Sequence, residues 1–422
     1  MATASDMAGK SSASLERPAW VRRLNEEGEC MDISGVVPLD EKSLLESAMR
    51  STGLSDFGSD EWRQPFHVFV NALEDEAQLN LIGRLRTRSE ILQLLEARLQ
   101  IEDTFKRHPE INDEQIVQPI VVVGQGRSGT SFLINVLASN PENGALLQWE
   151  CVFPCPPPEK ATYRSDPRID KAHELIRQWF RVTPEMSTIH EFDARLPQED
   201  VHILSMCFMA PQWLGLYGQV PSYHAWMATQ DIMPALHYHQ RVLKLLQWKN
   251  PRQRWVLKNI AFLDQMDMLL KIYPAACLVW PHRDPVRAAA SMGSAIAVTL
   301  SGRSDHALAS ADYEFVTDPQ HVANRLNKVI DQLDAGVVPP TQLFHMHYHD
   351  LVNDPLRKIE EMYCHFGIAL SDAGRQSMLQ YLNDNPRDAR APHRFSLGPD
   401  AAVKKARRVF HRYQQRFGIA DE

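Results

Sequence analysis

The chain has 422 residues, 44% of them hydrophobic and 23% charged, and its formal net charge is −8 at pH 7. This composition is typical of a globular protein with one large core or two unequal cores. The negative charge does not favour nucleic acid as a partner, so any anionic ligand must be met by local cations. Six cysteines are too few and too scattered for a disulfide framework. No apolar run reaches about 18 residues, and we expect reduced thiols, no transmembrane segment and a cytoplasmic location.

The N-terminal quarter predicts helices without catalytic chemistry. Residues 1–18 are polar and small and lack the apolar segment of a secretion signal, which predicts a disordered tail. Residues 19–116 predict a helical region, in which one helix ends at Gly53 and a later one opens with a capping box formed by Thr87 and Glu90. We expect this region to pack on the rest of the chain, or on a partner.

In residues 117–422, strands alternate with helices, which predicts an α/β domain. The apolar segments PIVVVG, RWVLKN, CLVWPHRDP and TQLFHMHYHDL fit strands that are buried on both faces. A helical insertion at about 160–250, rich in Trp, His, Met and Leu, is either a substrate lid or core. The predicted fold class is α/β: a three-layer P-loop-type parallel sheet flanked by helices, with an N-terminal helical region.

The first strand runs into a glycine-rich turn, GQGRSGTS, which has the spacing of a phosphate-binding loop. Gly124 and Gly129 fit the pattern G-x-x-x-x-G, but Thr130 stands where a nucleoside triphosphatase carries lysine. The nearest cation is Arg127, inside the loop. A strand, a glycine turn and a helix start aim backbone N–H groups at one anion, although such turns also occur without a ligand. The residues predicted to bind the anion are Gly126, Arg127, Ser128, Gly129, Thr130 and Ser131.

A second anion site is predicted in the segment HRDPVRAAASM. Arg283 follows a strand end, Asp284 and Pro285 suit the start of a helix, and Ser291 lies further along that helix. A cation and a hydroxyl group near a helix start make a candidate phosphate site, and an Asp–Arg structural bridge is the alternative. Two anion sites on one open sheet indicate a nucleotide that is phosphorylated at both ends.

The ordered segments VGQGRSGTSFL, LLQWE, RWVLKN, YPAACLVWPHRDPVRAAASM and YHDLVNDPLRKIEEMYCHFG resemble the motifs of the sulfotransferase family. The likeness is to its bacterial branch, with protein tyrosyl sulfotransferases as more distant relatives. It implies 3′-phosphoadenosine 5′-phosphosulfate (PAPS) as co-substrate and no metal. It assigns the 5′-phosphosulfate to the first loop with Arg127, and the 3′-phosphate to Arg283 and Ser291. Arg394 and its neighbour His393, in APHRFSLG, resemble the family segment that closes over the nucleotide.

The same resemblance assigns the catalytic side chains. Lys258 resembles the lysine that family members place against the bridging oxygen of the donor, where a cation stabilises the leaving phosphate. Arg127 serves the same end of the donor. Glu150, in LLQWE, matches the glutamate of the tyrosyl relatives and has apolar neighbours that predict a raised pKa; a structural partnership with Arg127 or Lys258 is the alternative. The other candidate bases are His190, Glu191, Glu199, Asp200 and His202.

The acceptor is predicted as a small hydrophobic molecule with a hydroxyl group. The bacterial branch commonly has Pro and His where this chain has Ile260 and Phe262, which predicts a more apolar acceptor pocket. Several Trp and Met residues of the insertion either line this pocket or belong to the core. They are Met206, Met209, Trp213, Trp226 and Met227.

Other patterns in the sequence leave this interpretation unchanged. The segment HMHYHD places His345, His347 and His349 on one face of a predicted strand, but no carboxylate or cysteine cluster accompanies them, and no metal site is predicted. The basic segment near the C-terminus predicts a helix docked on the core rather than on a membrane. The alternatives to a sulfotransferase are a catalytically silent nucleotide-binding or scaffold protein of the same fold and a P-loop kinase. The oligomeric state is not indicated.

Overall fold

The computed structural model describes residues 17–306, 317–386, 393 and 395–422. The strands of its sheet are β1, Ile120–Val122; β2, Asn143–Ala145; β3, Arg254–Lys258; β4, Cys277–His282; and β5, Leu343–His347. Their order is β2-β3-β1-β4-β5, and each neighbouring pair is parallel. The predicted fold class is confirmed. β2 was not predicted, because its sequence Asn-Gly-Ala contains no β-branched or aromatic residue.

β1 lies at the centre of the sheet and is buried on both faces. Val121 belongs to the apolar cluster on one face, whereas Ile120 and Val122 belong to the cluster on the other. This alternation follows from the two-residue period of a strand. Helices supply the rest of both clusters, so the sheet is the middle of three layers.

The strand register brings the predicted motifs to one edge of the sheet. Val122, at the end of β1, is in register with Lys258 of β3 and with Val279 of β4. Because all three strands run in the same direction, their carboxyl ends lie side by side. The loop after β1, Lys258 and the residues after β4 therefore meet, as expected for ligand sites on open parallel sheets.

Helices make up most of the rest of the described chain. Before β1 they are Ala19–Glu29, Ile33–Val36, Glu41–Thr52, Arg63–Asp75 and Leu81–Arg107. Between β1 and β3 they are Thr130–Ala138, Gln148–Val152, Arg168–Val182, Met186–Ile189, Val201–Leu204, Pro211–Leu214, Pro221–Met227 and Met233–Trp248. After β3 they are Met266–Ile272, Pro285–Ser301, Pro319–Asp334, Tyr348–Asn353, Pro355–His365, Asp372–Asp384, Asp400–Val409 and His411–Phe417.

The N-terminal helices share one core with the sheet. Leu44, Phe66 and Leu95 belong to the same buried cluster as Val121 of β1 and Leu257 of β3. The N-terminal region therefore packs on the α/β part of the chain. The boundaries of the predicted domains stay predictions.

The predicted start of a helix at Thr87 is wrong. The helix Leu81–Arg107 begins about two turns earlier, and the side chain of Asn80 accepts a hydrogen bond from the Gly83 amide at 2.7 Å. Asparagine is a preferred capping residue, and the Leu and Arg residues that follow it are good helix formers. Thr87 lies in the helix interior, and its burial there is complete.

Thr87 and Glu90 accept hydrogen bonds from Arg303 instead of capping a helix. Its guanidinium donates hydrogen bonds to Thr87 Oγ1 at 2.9 Å and to Glu90 Oε2 at 2.5 Å. Its carbonyl oxygen accepts a hydrogen bond from Asn80 N at 3.0 Å. Arg303 lies just beyond the end of helix Pro285–Ser301, so these bonds join the end of that helix to the start of the long N-terminal helix.

The histidine-rich segment is not a row on one strand. β5 ends at His347, and His349 lies on the following helix, Tyr348–Asn353. Among the residues that the structure describes, no group of three or more His, Cys, Asp or Glu side chains is arranged to hold a metal ion.

The basic C-terminal segment forms two helices that pack on the molecule, with Ala406, Phe410 and Tyr413 buried. This agrees with the predicted docking on the core. No helix in the described part of the chain is both long enough and apolar enough to cross a membrane.

Candidate active site

The loop after β1 is built to bind an anion. Gly129 has a φ of +92° and precedes helix Thr130–Ala138, and its Cβ position would lie 3.0 Å from the Tyr348 ring. A side chain there would be strained by both conformation and space. Arg127 also has a positive φ, +70°, a conformation that non-glycine residues rarely adopt and that is concentrated at functional sites. Ser128 donates its hydroxyl hydrogen to the Gln125 carbonyl at 2.7 Å and so fixes the turn.

Arg127 points across the site to the second predicted anion site. Its Nε donates to Ser291 Oγ at 3.0 Å, and its Nη1 donates to the Ile189 carbonyl at 3.1 Å. Arg283 donates to the Arg127 carbonyl at 2.9 Å. Burial lowers the pKa of Arg127, and the nearby charge of Arg283 lowers it further. Arg127 is predicted to bind one end of a nucleotide, and Arg283 and Ser291 the other end. The two predicted anion sites are therefore in direct contact through Arg127.

The side chain of Glu422 holds Arg283 in this structure. Its carboxylate accepts hydrogen bonds from Arg283 Nε at 2.9 Å and Nη2 at 2.8 Å, and it lies 3.4 Å from Arg287 Nε. The Glu422 amide donates to the buried carboxylate of Asp284 at 2.9 Å. Asp284 also caps helix Pro285–Ser301 through the Val286 amide, as predicted for this helix start.

Lys258 connects the loop to a carboxylate. Its Nζ donates to Ser131 Oγ at 2.7 Å and lies 2.8 Å from Glu199 Oε1. The Lys258 side chain is 5% exposed and that of Glu199 is 20% exposed. The amide of Asp200 donates to the Lys258 carbonyl at 2.9 Å, which fixes the neighbouring Glu199 beside the lysine. Of the five alternative bases, Glu199 is thus the one paired with Lys258.

Two histidines of the predicted set flank this pair. Burial, with a smaller contribution from the charge of Lys258, lowers the pKa of His190 to about 3 and that of His202 to about 4. His190 Nε2 lies 3.5 Å from Ser131 Oγ, and its Nδ1 lies 2.7 Å from the Glu191 carbonyl. Both imidazoles are neutral near pH 7, so they add no positive charge to the site.

Two cavities meet at these residues. The polar cavity, about 480 Å³, is lined among others by Gly129, Glu191, Arg283, Tyr348 and Tyr381. The apolar cavity, about 210 Å³, is lined among others by Glu199, His202, Trp213, Lys258, Met292 and Ile296. The residues that line both are Arg127, Thr130, Ser131, Ile189 and His190. The loop therefore forms the boundary between a polar and an apolar compartment.

Glu150 is not brought to this boundary. Its side chain is fully buried, forms an ion pair with Arg252 and accepts a hydrogen bond from the Leu147 amide at 3.0 Å. Burial raises its pKa, as predicted, although Arg252 opposes the shift. Neither the polar nor the apolar cavity includes Glu150 in its lining. The alternative of a structural partnership is the one seen, with Arg252 as the partner rather than Arg127 or Lys258.

Some of the remaining residues predicted to bind or act on a substrate lie at the site, and others do not. Asp200 is buried, with His239 Nε2 at 3.5 Å, and faces away from the boundary. His393 approaches Ser291 Oγ at 3.3 Å, whereas Arg394 lies outside the described residues. Of the predicted lining residues of the insertion, Trp213 lines the apolar cavity. The others, Met206, Met209, Trp226 and Met227, are absent from its lining.

Comparison with known proteins identifies this arrangement. Residues 119–372 match the sequence profile of the family described as the Sulfotransferase family. The chain belongs to this family. The chain is therefore a sulfotransferase, as its motifs predicted, and an enzyme rather than a scaffold or a kinase.

Solved sulfotransferases share the whole fold. STF9 from Mycobacterium avium superposes with a TM-score of 0.77 at 26% identity, over 90% of this chain and 97% of that one. STF1 from Mycobacterium tuberculosis H37Rv gives a TM-score of 0.72 at 28% identity, over 89% of this chain and 98% of that one. The omega-hydroxy-beta-dihydromenaquinone-9 sulfotransferase Stf3 of Mycobacterium bovis is 24% identical over 282 residues, which are 63% of this chain and 67% of that protein.

Two residues that pair with predicted site residues had no signal in the sequence. Glu422 lies beyond the predicted motifs, and its charge is one among many acidic residues. Arg252 lies in a polar turn before β3, where an exposed arginine is the ordinary expectation. Both act through pairing with a distant residue, which sequence periodicity does not report.

Proposed function

We propose that this sulfotransferase moves the sulfuryl group of PAPS to the hydroxyl group of a hydrophobic alcohol. The observation that carries the proposal is the position of Lys258, whose ammonium group contacts both Ser131 of the anion loop and Glu199 of the apolar cavity. A cation and a carboxylate are thus available at the boundary where donor and acceptor must meet.

The donor fits the cations of the polar cavity. Arg127 and the loop amides would hold the 5′-phosphosulfate, with Gly126, Ser128, Gly129, Thr130 and Ser131. Arg283 would bind the 3′-phosphate in place of the Glu422 carboxylate, with Ser291 nearby. Guanidinium groups match the oxygens of a phosphate in a fork geometry.

The reaction needs one proton acceptor and one cation. The hydroxyl oxygen of the acceptor forms a bond to sulfur, the bond from sulfur to the bridging phosphate oxygen breaks, and the hydroxyl proton passes to a carboxylate. We assign that carboxylate to Glu199, which lines the apolar cavity, in preference to Glu150. Lys258 then stabilises the negative charge that develops on the leaving phosphate.

The acceptor is proposed to be apolar because of the cavity that would hold it. Met186, Trp213, Met292 and Ile296 line the space next to Glu199. The relative Stf3 acts, by its name, on a hydroxylated menaquinone, which is a hydrophobic molecule with a hydroxyl group.

The donor is tested by calorimetric titration with 3′,5′-adenosine bisphosphate and, separately, with ATP and magnesium. The bisphosphate should bind tightly, and Arg283→Ala should weaken it roughly 10- to 100-fold through loss of charge-assisted hydrogen bonds. Arg63→Ala, at an exposed arginine paired with Asp60, is the matched control and should bind normally. Tight binding of ATP with magnesium and none of the bisphosphate would overturn the donor assignment.

The role of Lys258 is tested by transfer from PAPS to long-chain alcohols. Lys258→Ala should lower kcat roughly 100- to 1,000-fold while the bisphosphate still binds. Lys271→Ala, at an exposed lysine paired with Asp267, should leave kcat unchanged. A normal kcat in Lys258→Ala would contradict the proposal that Lys258 stabilises the leaving phosphate.

A further inference from the structure

A second apolar cavity adjoins the proposed acceptor site and has no part in the proposed chemistry. This helical chamber has a volume of about 430 Å³ and lies between helices Leu81–Arg107 and Arg168–Val182. Its apolar lining includes Ile82, Leu94, Val152, Leu175, Ile176 and Met206. The N-terminal helical region thus contributes one of its walls.

Four ring side chains separate the helical chamber from the apolar cavity. Trp179, Phe192, His202 and Trp213 line both spaces. The Trp179 and Phe192 rings are perpendicular at 5.2 Å between centroids, and the His202 and Trp213 rings are 4.3 Å apart. Because the same side chains border both spaces, the wall is a single side chain thick.

The volume of the helical chamber, together with its apolar lining, is the reason to expect an apolar occupant. Pockets that bind organic ligands usually measure about 300 to 1,000 Å³. The apolar cavity alone, about 210 Å³, is smaller than this range, whereas the helical chamber, about 430 Å³, lies within it. An acceptor confined to the apolar cavity would have to be smaller than the ligands that such pockets usually hold.

We infer that the helical chamber receives the apolar tail of the acceptor while the hydroxyl group lies at Lys258 and Glu199. The inference rests on the proposed function and narrows it, because it makes the acceptor a long-chain alcohol rather than a compact ring alcohol. The tail enters from the apolar cavity between the four rings, and the N-terminal helical region takes part in substrate selection.

The test is a chain-length series of primary alcohols. kcat/KM is measured with PAPS and hexyl, dodecyl or hexadecyl alcohol. For the unaltered enzyme it should rise with length, by about fourfold for each methylene group that leaves water, until the chamber is full. Leu175→Trp fills the chamber and should lower kcat/KM for hexadecyl alcohol at least about tenfold, with hexyl alcohol unaffected. Leu379→Trp, at a leucine 41% exposed, is the matched control.

A binding measurement separates this inference from the proposed chemistry. Displacement of the apolar dye Nile red by hexadecyl alcohol is measured without donor, in the unaltered protein, in Leu175→Trp and in Val152→Phe, a smaller change to the same chamber. Loss of displacement in the two filled variants would support binding of the tail in the chamber. If, in addition, no alcohol is sulfated, that second result would contradict only the proposed function. Equal displacement, or equal kcat/KM for hexadecyl alcohol in all variants, would overturn the inference.

Discussion

At the scale of single residues, the site depends on which carboxylate faces Lys258. Glu199 and Lys258 are held together by a backbone hydrogen bond from Asp200 to the lysine carbonyl, so the carboxylate and the ammonium group approach each other without relying on loop conformation alone. Glu150 has a comparable charge pair with Arg252 but in a fully enclosed position. Neutralising the carboxylate should therefore affect mainly catalysis in the Glu199–Lys258 pair and mainly stability in the Glu150–Arg252 pair.

We expect Glu199→Gln and Glu150→Gln to separate catalysis from stability. Glu199→Gln should lower kcat roughly 100-fold or more, because it removes the proton acceptor. It should lower the free energy of unfolding less than Glu150→Gln does, because the Glu199 side chain is 20% exposed whereas that of Glu150 is fully buried. Glu150→Gln should lower that free energy by about 3 kcal/mol, since it leaves the charge of Arg252 buried without a counterion. Urea unfolding and transfer rates, corrected for the folded fraction, measure both. Normal kcat in Glu199→Gln with a lost kcat in folded Glu150→Gln would restore Glu150 as the base.

We expect Glu422→Gln to increase the affinity for 3′,5′-adenosine bisphosphate. The carboxylate competes for the guanidinium of Arg283, and its neutral analogue competes less. For a partly exposed ion pair the gain should be about two- to fivefold, and it should shrink as salt is added. Calorimetry at low and high ionic strength measures it, with Glu174→Gln at an exposed pair as control. A fall in affinity would show that Glu422 prepares Arg283 for the phosphate.

The site residues predicted from sequence are those whose signal is local. Arg127 and Ser131 were predicted because a strand and a glycine turn have a fixed spacing, and Lys258 because its segment resembles a family motif. For the base, the sequence favoured Glu150, whereas the structure places Glu199 beside Lys258; the two side chains have equal chemistry. Their environments depend on Arg252 and Lys258, which are remote in the sequence.

At the scale of elements, the long helix Leu81–Arg107 is fixed to the catalytic half of the molecule at a glycine. A Cβ on Gly83 would overlap the carbonyl oxygen of Arg303, the same oxygen that accepts the Asn80 amide hydrogen. The contact is with backbone, so no side chain can move aside. Glycine is required here by close approach rather than by its φ angle.

We expect Gly83→Ala to destabilise the protein by about 2 kcal/mol or more, despite the better helix propensity of alanine. The helix must move away from Arg303, and kcat/KM for long-chain alcohols should fall more than for short ones. Gly53→Ala is the comparison: its φ is +70° and its Cβ would meet nothing within 4 Å, so it should lose only the cost of a left-handed alanine, about 1 kcal/mol. Equal urea midpoints for the unaltered protein and Gly83→Ala would show that the two helices are free to separate.

Strands and helices were predictable where apolar periodicity was strong. The four predicted strands contain β-branched or aromatic residues, whereas β2 has the sequence Asn-Gly-Ala and contains none. The start of the long helix was misplaced because Thr87 and Glu90 form the pattern of a capping box. In the folded molecule they serve Arg303 instead, a contact that no local rule predicts.

At the scale of the whole molecule, buried neutral histidines link stability to pH. His190 and His202 have pKa values lowered to about 3 and about 4, against about 6.5 in an unfolded chain. Between these values the unfolded chain binds more protons, so the free energy of unfolding should decrease as pH falls from about 6.5 towards 4. Urea unfolding across this range should show a weaker decrease in His202→Gln and an unchanged one in the exposed His411→Gln. A pH-independent midpoint would contradict the burial of these rings.

Helix Pro285–Ser301 touches every part of the machinery. Its 17 residues span about 25 Å. Ser291 lies beside the anion loop, Met292 and Ile296 line the apolar cavity, and Arg303, just beyond the end of the helix, contacts the N-terminal helix. We expect a ligand that fixes the position of this helix at one site to change the ligand affinity at the other site. The two substrates should therefore bind cooperatively or in a preferred order. Whatever factor the nucleotide imposes on the affinity for the alcohol, the alcohol must impose equally on the nucleotide.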